Sequence, residues 1–406
     1  MMSDNEKLVP VRVPFSWRKL VIAGVLAACA PAVTATSTRA AAPQVSDQRP
    51  DSISWYFETN GPGPDGSEVQ LTIDSRWGPG NRSSWSNSRK IGELQGVTSA
   101  QLMGRTEPVR FALVKEAGRL DCIGTAGGAH GSGTCAFTPD VGFATFLEGR
   151  GIGRPSTHQA FSLTMSGVDR DLVDSLEKNG FARPNIDQLT DMGIQGVDAD
   201  YVRQLGGLGY RLSADDAITF KIHGVEPAYI REMAAIGPAL RHIAPSDLVA
   251  LRIHGVKPEF VRGMAAIGPQ FSNVTANDLV DMAIHGVRPE LARAYVELEG
   301  RAVNPDDIVS MAIHGVTADY LQRLGAAGYR GLSADAVVSM AIHGVRAEDV
   351  EQYAALGYRD LGADDLVSMA IHGVTPEYVR RLQQNGMAHL PADQLVRLRV
   401  AGFEPR

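Results

Sequence analysis

Apolar residues recur in a fixed pattern from Leu163 to the C-terminus. Alignment on the glycine of the recurring sequence HGV gives spacings of 29, 28, 31, 31, 29, 29, 29 and 29 residues. A constant period between 20 and 50 residues is typical of a solenoid. The pattern therefore predicts a helical repeat array over residues 163–406. The aligned glycines are Gly167, Gly196, Gly224, Gly255, Gly286, Gly315, Gly344, Gly373 and Gly402.

Each repeat has the start and stop signals of two short helices. The first helix is preceded by a capping residue such as Ser213 or Asn304, carries apolar residues at helical spacing, and ends at the HGV glycine. The second helix has proline in its first turn, as at Pro289, and ends at a second glycine followed by an aromatic, as at Gly328. Neither helix can bury its apolar face alone, so we expect the repeats to stack around one continuous core.

Residues 53–162 have a different pattern, in which branched or aromatic residues alternate with polar ones. The segments ISWYFE and EVQLTIDSRW predict strands. Two further strand patterns flank a glycine-rich centre, which predicts a hairpin with a long flexible loop. If the turn is centred on the glycine-rich stretch, Cys122 and Cys135 fall at near-facing positions of that hairpin. We expect a disulfide between them, with two free buried thiols as the alternative. The predicted fold class is α+β: a small N-terminal beta-rich module followed by an all-α solenoid of two-helix repeats of about 29–31 residues.

The first 36 residues have the pattern of an export signal. Basic residues, ending with Arg18 and Lys19, precede an apolar run from Leu20 to Thr36. The run contains LAAC, which resembles a lipoprotein signal box and makes Cys29 a lipidation candidate; a cleaved signal and an uncleaved anchor are the alternatives. Residues 37–52 are rich in small and polar residues and predict a flexible linker. We expect the protein to be exported to the periplasm or cell envelope, with attachment to the membrane through the N-terminus left open.

Composition and motifs disfavour two classes of function. A net charge of −7 is unfavourable for binding nucleic acid. The sequence contains neither HExxH nor GxSxG, and no spacing indicates a catalytic group, so we expect no enzymatic activity and no cofactor. Trp55, Trp77 and Trp85 could form a stacking platform for a ligand, although three tryptophans in so small a module are more often part of its core.

Six histidines share one position of the repeat, immediately before the HGV glycine. Stacked helices lie about 8–10 Å apart, too far for neighbouring imidazoles to share one metal ion. The last turn of a helix favours a cationic or hydrogen-bond-donating side chain. We interpret the histidines as helix caps, with a pH-sensitive stripe and a metal site as weaker alternatives. They are His223, His254, His285, His314, His343 and His372.

The repeat DDLVSMAIHGVTPEYVRRLQQNG resembles short helical repeats that follow the peptidase domain in some relatives of the beta-lactam-sensing antirepressor metallopeptidases. Similar repeats occur in exported bacterial proteins with a small beta module in front. The resemblance covers residues 163–406 and implies a bacterial envelope protein with a role linked to sensing. It does not imply peptidase activity, because HExxH is absent.

The leading functional hypothesis is a non-enzymatic interaction scaffold or sensor that binds an envelope protein partner through the solenoid. The alternative is binding of a ligand or cell-wall glycan through the beta module, with the array as a spacer. The oligomeric state stays open.

Overall fold

The structure is a computed structural model that describes residues 49–58, 68–300 and 303–405. The predicted export signal, Cys29 and most of the predicted linker lie outside the described residues.

The N-terminal module is a seven-stranded antiparallel sheet, as the alternating pattern predicts. The strand order is β3-β2-β1-β7-β6-β5-β4, so that β3 and β4 are the edge strands. A short helix, α1 (Ser99–Met103), and one 3₁₀ turn (Ile91–Glu93) connect the strands around β4. The strands are β1 (Ser52–Glu58), β2 (Glu68–Arg76), β3 (Arg82–Lys90), β4 (Leu94–Gln95), β5 (Glu107–Lys115), β6 (Gly118–Gly127) and β7 (His130–Pro139).

Alternation along β1 places Ile53, Trp55 and Phe57 in the core of the sheet. Trp55 is 1% exposed and donates from Nε1 to the carbonyl of Ile123 at 3.1 Å. Its ring also meets Phe111 edge to face, with the ring centroids 5.0 Å apart. A buried indole with its N–H satisfied is the arrangement expected of a core tryptophan.

The prediction of a long flexible loop in this hairpin is wrong. Strands β6 and β7 are paired along their whole length and joined by a two-residue turn, Gly128–Ala129, at φ values of 60° and 68°. The glycines of β7 instead make room for aromatic rings. A Cβ at Gly131 would lie 2.4 Å from the Phe57 ring, and one at Gly133 would lie 2.6 Å from Trp55 Nε1.

The predicted disulfide is present. Cys122 and Cys135 lie directly opposite each other on β6 and β7 and are bonded. After β7, Asp140 accepts a hydrogen bond from the Phe143 amide at 2.6 Å and so caps helix α2 (Val141–Gly149).

The C-terminal region is a two-layer helical array, as the glycine period predicts. The first helices of the repeats, here called A-helices, pack on one another in chain order; the second helices, called B-helices, form the other layer in the same way. The A-helices are α3 (Thr157–Ser166), α5 (Ile186–Ile194), α7 (Ala214–Ile222), α9 (Pro245–Ile253), α11 (Ala276–Ile284), α13 (Pro305–Ile313), α15 (Ala334–Ile342), α17 (Ala363–Ile371) and α19 (Ala392–Val400). The B-helices are α4 (Arg170–Lys178), α6 (Ala199–Gly207), α8 (Pro227–Ile236), α10 (Pro258–Ala265), α12 (Pro289–Glu299), α14 (Ala318–Ala326), α16 (Ala347–Ala355) and α18 (Pro376–Gln384).

Every HGV glycine ends its A-helix in the left-handed conformation, with φ between 66° and 76°. The amide of the next residue then bonds to the carbonyl five residues earlier, as Val316 does to Met311 at 3.0 Å. This is the Schellman arrangement, which satisfies carbonyls at the helix end. At the other end of the A-helices, the predicted caps Ser213 and Asn304 accept hydrogen bonds from backbone amides of the first turn. Asn185 and Thr275 do the same in their repeats.

The two 31-residue spacings have a structural explanation. In both of these repeats a proline-led 3₁₀ turn follows the B-helix, at Pro238–Leu240 and Pro269–Phe271. Leu240 and Phe271 are buried and fill the core where other repeats place an aromatic after the second glycine. The extra residues therefore lengthen the connection and leave the helix stacking intact.

Helix α3 joins the sheet to the array. It begins at Thr157, inside the range predicted for the beta module, and contributes to both cores. Phe161 packs in the core of the sheet, whereas Leu163 packs in the core of the array. Arg170 adds an ion pair with Glu116 at 2.9 Å across the same junction. The sheet thus covers the N-terminal end of the stack.

Candidate interaction surface

The valine of HGV is a structural residue that links consecutive repeats. Its side chain is buried, and in four of the described repeats its carbonyl accepts a hydrogen bond from a B-helix tyrosine of the preceding repeat. Tyr229 donates to the carbonyl of Val256 at 3.0 Å, and Tyr320 donates to that of Val345 at 3.0 Å. Burial raises the pKa of both tyrosines to about 12, because the neutral phenol is favoured away from water.

The histidines occupy the C-cap position of their A-helices, and all six are exposed. In the last three of these repeats, Nδ1 lies 2.8 Å from the carbonyl of the serine four residues earlier. That contact requires Nδ1 to carry the proton, because a carbonyl oxygen only accepts. The three pairs are His314 with Ser310, His343 with Ser339, and His372 with Ser368. Among the described residues, no three His, Cys, Asp or Glu side chains gather closely enough to hold a metal ion.

From Ile194 onward, the residue two positions before each aligned glycine is apolar and exposed. Seven isoleucines at this position are 50–57% exposed, and the valine of the last repeat is 66% exposed. A single exposed apolar side chain is ordinary, but a contiguous set usually marks an interaction site. We call this set the isoleucine row: Ile194, Ile222, Ile253, Ile284, Ile313, Ile342, Ile371 and Val400.

The isoleucine row lies on one stripe of the A-helices together with two other rows. The row residue is the ninth of each helix, and positions two, five and nine follow the i, i+3, i+7 spacing of one helix face. Position five carries a branched, half-buried residue in most repeats, such as Val309. Position two carries an exposed aspartate in six of the A-helices. We call those six the acidic row: Asp187, Asp215, Asp306, Asp335, Asp364 and Asp393.

The acidic row is largely unneutralised. Within the described ranges, Asp393 is the only member with an ion pair, to Arg397 of its own helix at 3.1 Å. The B-helices differ, because ion pairs join one repeat to the next. Arg262 pairs with Glu232 at 2.6 Å, and Arg323 pairs with Glu351 at 2.9 Å. The face formed by the A-helices therefore presents apolar side chains beside uncompensated negative charge.

The pKa of Asp307 reflects this negative environment. Partial burial is the main cause that raises its pKa, and the nearby carboxylates of Asp335, Asp306 and Glu299 add to the effect. Like charges disfavour a further ionised carboxylate. A positively charged partner would relieve this repulsion.

A cleft adjoins the first member of the isoleucine row. It has a volume of about 400 Å³ and lies between strand β3 and the start of the array, where Ser86, Asn87, Met165 and Ile194 line it. Among the described strands, β3 pairs with β2 alone and so forms one edge of the sheet. Trp85 also lines the cleft, and its Nε1 is buried without a hydrogen-bond partner in the described structure.

The three module tryptophans do not form an exposed stacking platform. Trp55 is 1% and Trp77 3% exposed, so both belong to the core. Trp77 packs against His158, with the ring centroids 4.7 Å apart. Only Trp85 borders a cleft among these three. The isoleucine row could not be recognised from the sequence, because an isoleucine at the end of an amphipathic helix has the same sequence pattern as a buried one.

The chain matches neither a protein-family model nor a curated protein sequence. No helix in the described ranges is both long enough and apolar enough to cross a membrane.

Proposed function

We propose that the protein is a non-enzymatic, exported envelope protein whose helical array is a scaffold for a protein partner. The isoleucine row carries the proposal. In the motif IHGV, glycine ends the helix, valine is buried and three of the six histidines contact a helix carbonyl, whereas isoleucine is more than half exposed in repeat after repeat. Repeated exposure of a large apolar side chain is unfavourable in water, and cover by a partner would remove that cost.

The test is affinity capture of the full-length protein from cross-linked cells that produce it. The variant Ile284→Ser/Ile313→Ser/Ile342→Ser should lose the captured partner with little change in thermal stability. The matched control is Val114→Ser/Ile123→Ser/Val141→Ser, which alters three exposed apolar residues of the beta module and α2. If the isoleucine variant retains the partner, the isoleucine row is not the binding surface.

Export is part of the same proposal and rests on the sequence of residues 1–36. Cell fractionation should find the full-length protein outside the cytoplasm. If Cys29 carries a lipid, the parent protein should be recovered with the membrane fraction. The variant Cys29→Ser, which cannot be lipidated, should then be recovered in the soluble periplasmic fraction. Recovery of the parent protein in the cytoplasm would contradict export.

A second candidate function is glycan binding at the cleft beside β3. The cleft combines Trp85 with serine and asparagine side chains, a mixture suited to stacking and hydrogen bonding with a sugar. Titration with cell-wall glycans should then change the tryptophan fluorescence, and Trp85→Phe should reduce the change. No response to any of these glycans would remove this candidate.

A further inference from the structure

We propose that the segment bound along the isoleucine row is an extended peptide with basic side chains, contributed by a protein partner. This inference rests on the proposed function and specifies the chemistry of the partner. Three features support it: the spacing expected of the row, the strand edge at one end of the row, and the acidic row without ion-pair partners beside it.

The spacing of the isoleucine row suits an extended chain. Stacked helices are about 8–10 Å apart, so consecutive row residues are expected at that interval. A polyproline II segment has three residues per turn and rises about 3.1 Å per residue, so it presents the same face about every 9.3 Å. One side chain in three of such a peptide would therefore meet one isoleucine of each repeat.

The cleft beside β3 also favours an extended ligand. The row begins at Ile194, which lines this cleft together with Ser84–Arg89 of the edge strand. Unpaired backbone groups of an edge strand can be satisfied by an added extended segment. A helical ligand could match the row about every seven residues, or about 10.5 Å, but its backbone groups are already paired within the helix.

The negative charge of the acidic row favours a ligand with basic side chains. The acidic row runs along the N-terminal ends of the A-helices, two turns from the isoleucine row on the same stripe. Asp306, Asp335 and Asp364 are exposed and form no ion pair within the described residues. Lysine or arginine flanking each apolar residue of the peptide would neutralise these carboxylates.

The experiment is fluorescence anisotropy with the full-length protein and labelled synthetic peptides of about 18 residues, long enough to cover about six repeats. The main probe repeats Pro-Leu-Lys. A second probe replaces lysine with glutamate, and a third has the same charge but a helix-forming heptad sequence. We expect the Pro-Leu-Lys peptide to bind, the glutamate peptide to bind at least about tenfold more weakly, and added salt to weaken binding.

Protein variants test the acidic row directly. The variant Asp306→Asn/Asp335→Asn/Asp364→Asn should bind the Pro-Leu-Lys peptide about tenfold more weakly, because three exposed charge contacts are lost. The matched control, Asp200→Asn/Glu290→Gln/Asp319→Asn, removes three charges from the first turns of B-helices and should leave the affinity unchanged.

Failure of this inference can be distinguished from failure of the proposed function. Tighter binding of the heptad or glutamate peptide, or equal effects of the two sets of charge variants, would overturn the extended basic ligand. Absence of binding by the Pro-Leu-Lys peptide would also overturn the extended basic ligand. The scaffold function would still stand in that case if the isoleucine variant loses its partner in cells. Retention of the cellular partner by the isoleucine variant would instead overturn the scaffold function itself.

Discussion

At the scale of single residues, the HGV glycine is required by backbone conformation and not by space. Gly315 has φ of 74°, and a Cβ added there would meet nothing within 4 Å. We therefore expect Gly315→Ala to destabilise the array by about 1–2 kcal/mol, the cost of a left-handed conformation for an L-residue. Urea unfolding followed by circular dichroism measures the change.

The control for that substitution is Gly207→Ala, also without any atom within 4 Å of the added Cβ but at the last residue of helix α6, where φ is not positive. Alanine is the better helix former, so this variant should be more stable by about 0.5–1 kcal/mol. Equal effects of the two substitutions would show that the conformation of Gly315 is not the cause.

The inter-repeat tyrosines predict a loss of stability at alkaline pH. The pKa of Tyr229, Tyr295 and Tyr320 is raised to about 12 from an unfolded value of 10.0. Above pH 10 the unfolded chain loses protons that the folded chain keeps, so stability falls between about pH 10 and 12. Thermal unfolding at a series of pH values, with tyrosinate absorbance recorded in parallel, should show that the loss of stability and the ionisation of the tyrosines occur over the same pH range.

Tyr229→Phe separates the hydroxyl from the ring. It should cost about 1 kcal/mol near neutral pH through the lost hydrogen bond to Val256, and it should reduce the alkaline effect. Tyr56→Phe is the control, since Tyr56 is 47% exposed. A similar alkaline profile for Tyr229→Phe and the parent protein would contradict the assignment.

At the scale of elements, the disulfide joins β6 to β7. The bonded cysteines are 13 residues apart in sequence, and a loop of this size corresponds to about 3 kcal/mol of chain entropy in the unfolded state. We expect Cys122→Ala/Cys135→Ala to lower the stability of the sheet by up to that amount. Chemical denaturation followed by tryptophan fluorescence, which reports on Trp55 and Trp77, measures it; an unchanged midpoint would contradict the expectation.

Elements with local signals could be predicted from the sequence. The capping residue Asn185, the helix-ending Gly315 and the facing pair of cysteines each have their reason within a few residues or one hairpin. The glycine-rich strands could not be predicted in the same way. Gly131 is explained by the ring of Phe57, which lies more than 70 residues earlier in the chain. Gly133 is explained by the Ile123 carbonyl of the paired strand and by the equally distant Trp55. The isoleucine row was missed for a related reason, because the sequence pattern does not show which apolar side chain the next repeat leaves uncovered.

At the scale of the whole molecule, the array has two different ends. The sheet packs on α3 at the N-terminal end, whereas α19 at the other end buries only Leu395 among its own residues. Because each repeat contacts only its neighbours, stability should fall toward the less covered end. Hydrogen exchange with mass spectrometry should show faster exchange in α17 and α19 than in α3 and α5. Uniform protection along the array would indicate a single cooperative unit.

The face formed by the A-helices is the proposed binding surface for a protein partner. The most direct measurement is photo-cross-linking in cells, with a photoreactive amino acid placed at Ile313 or, as a control, at Asp319 on the B-helix layer. Both side chains are exposed, so neither substitution should disturb the fold. We predict a discrete cross-linked protein from position 313 and none from position 319. A cross-link from position 319 alone, or from neither position, would contradict the claim.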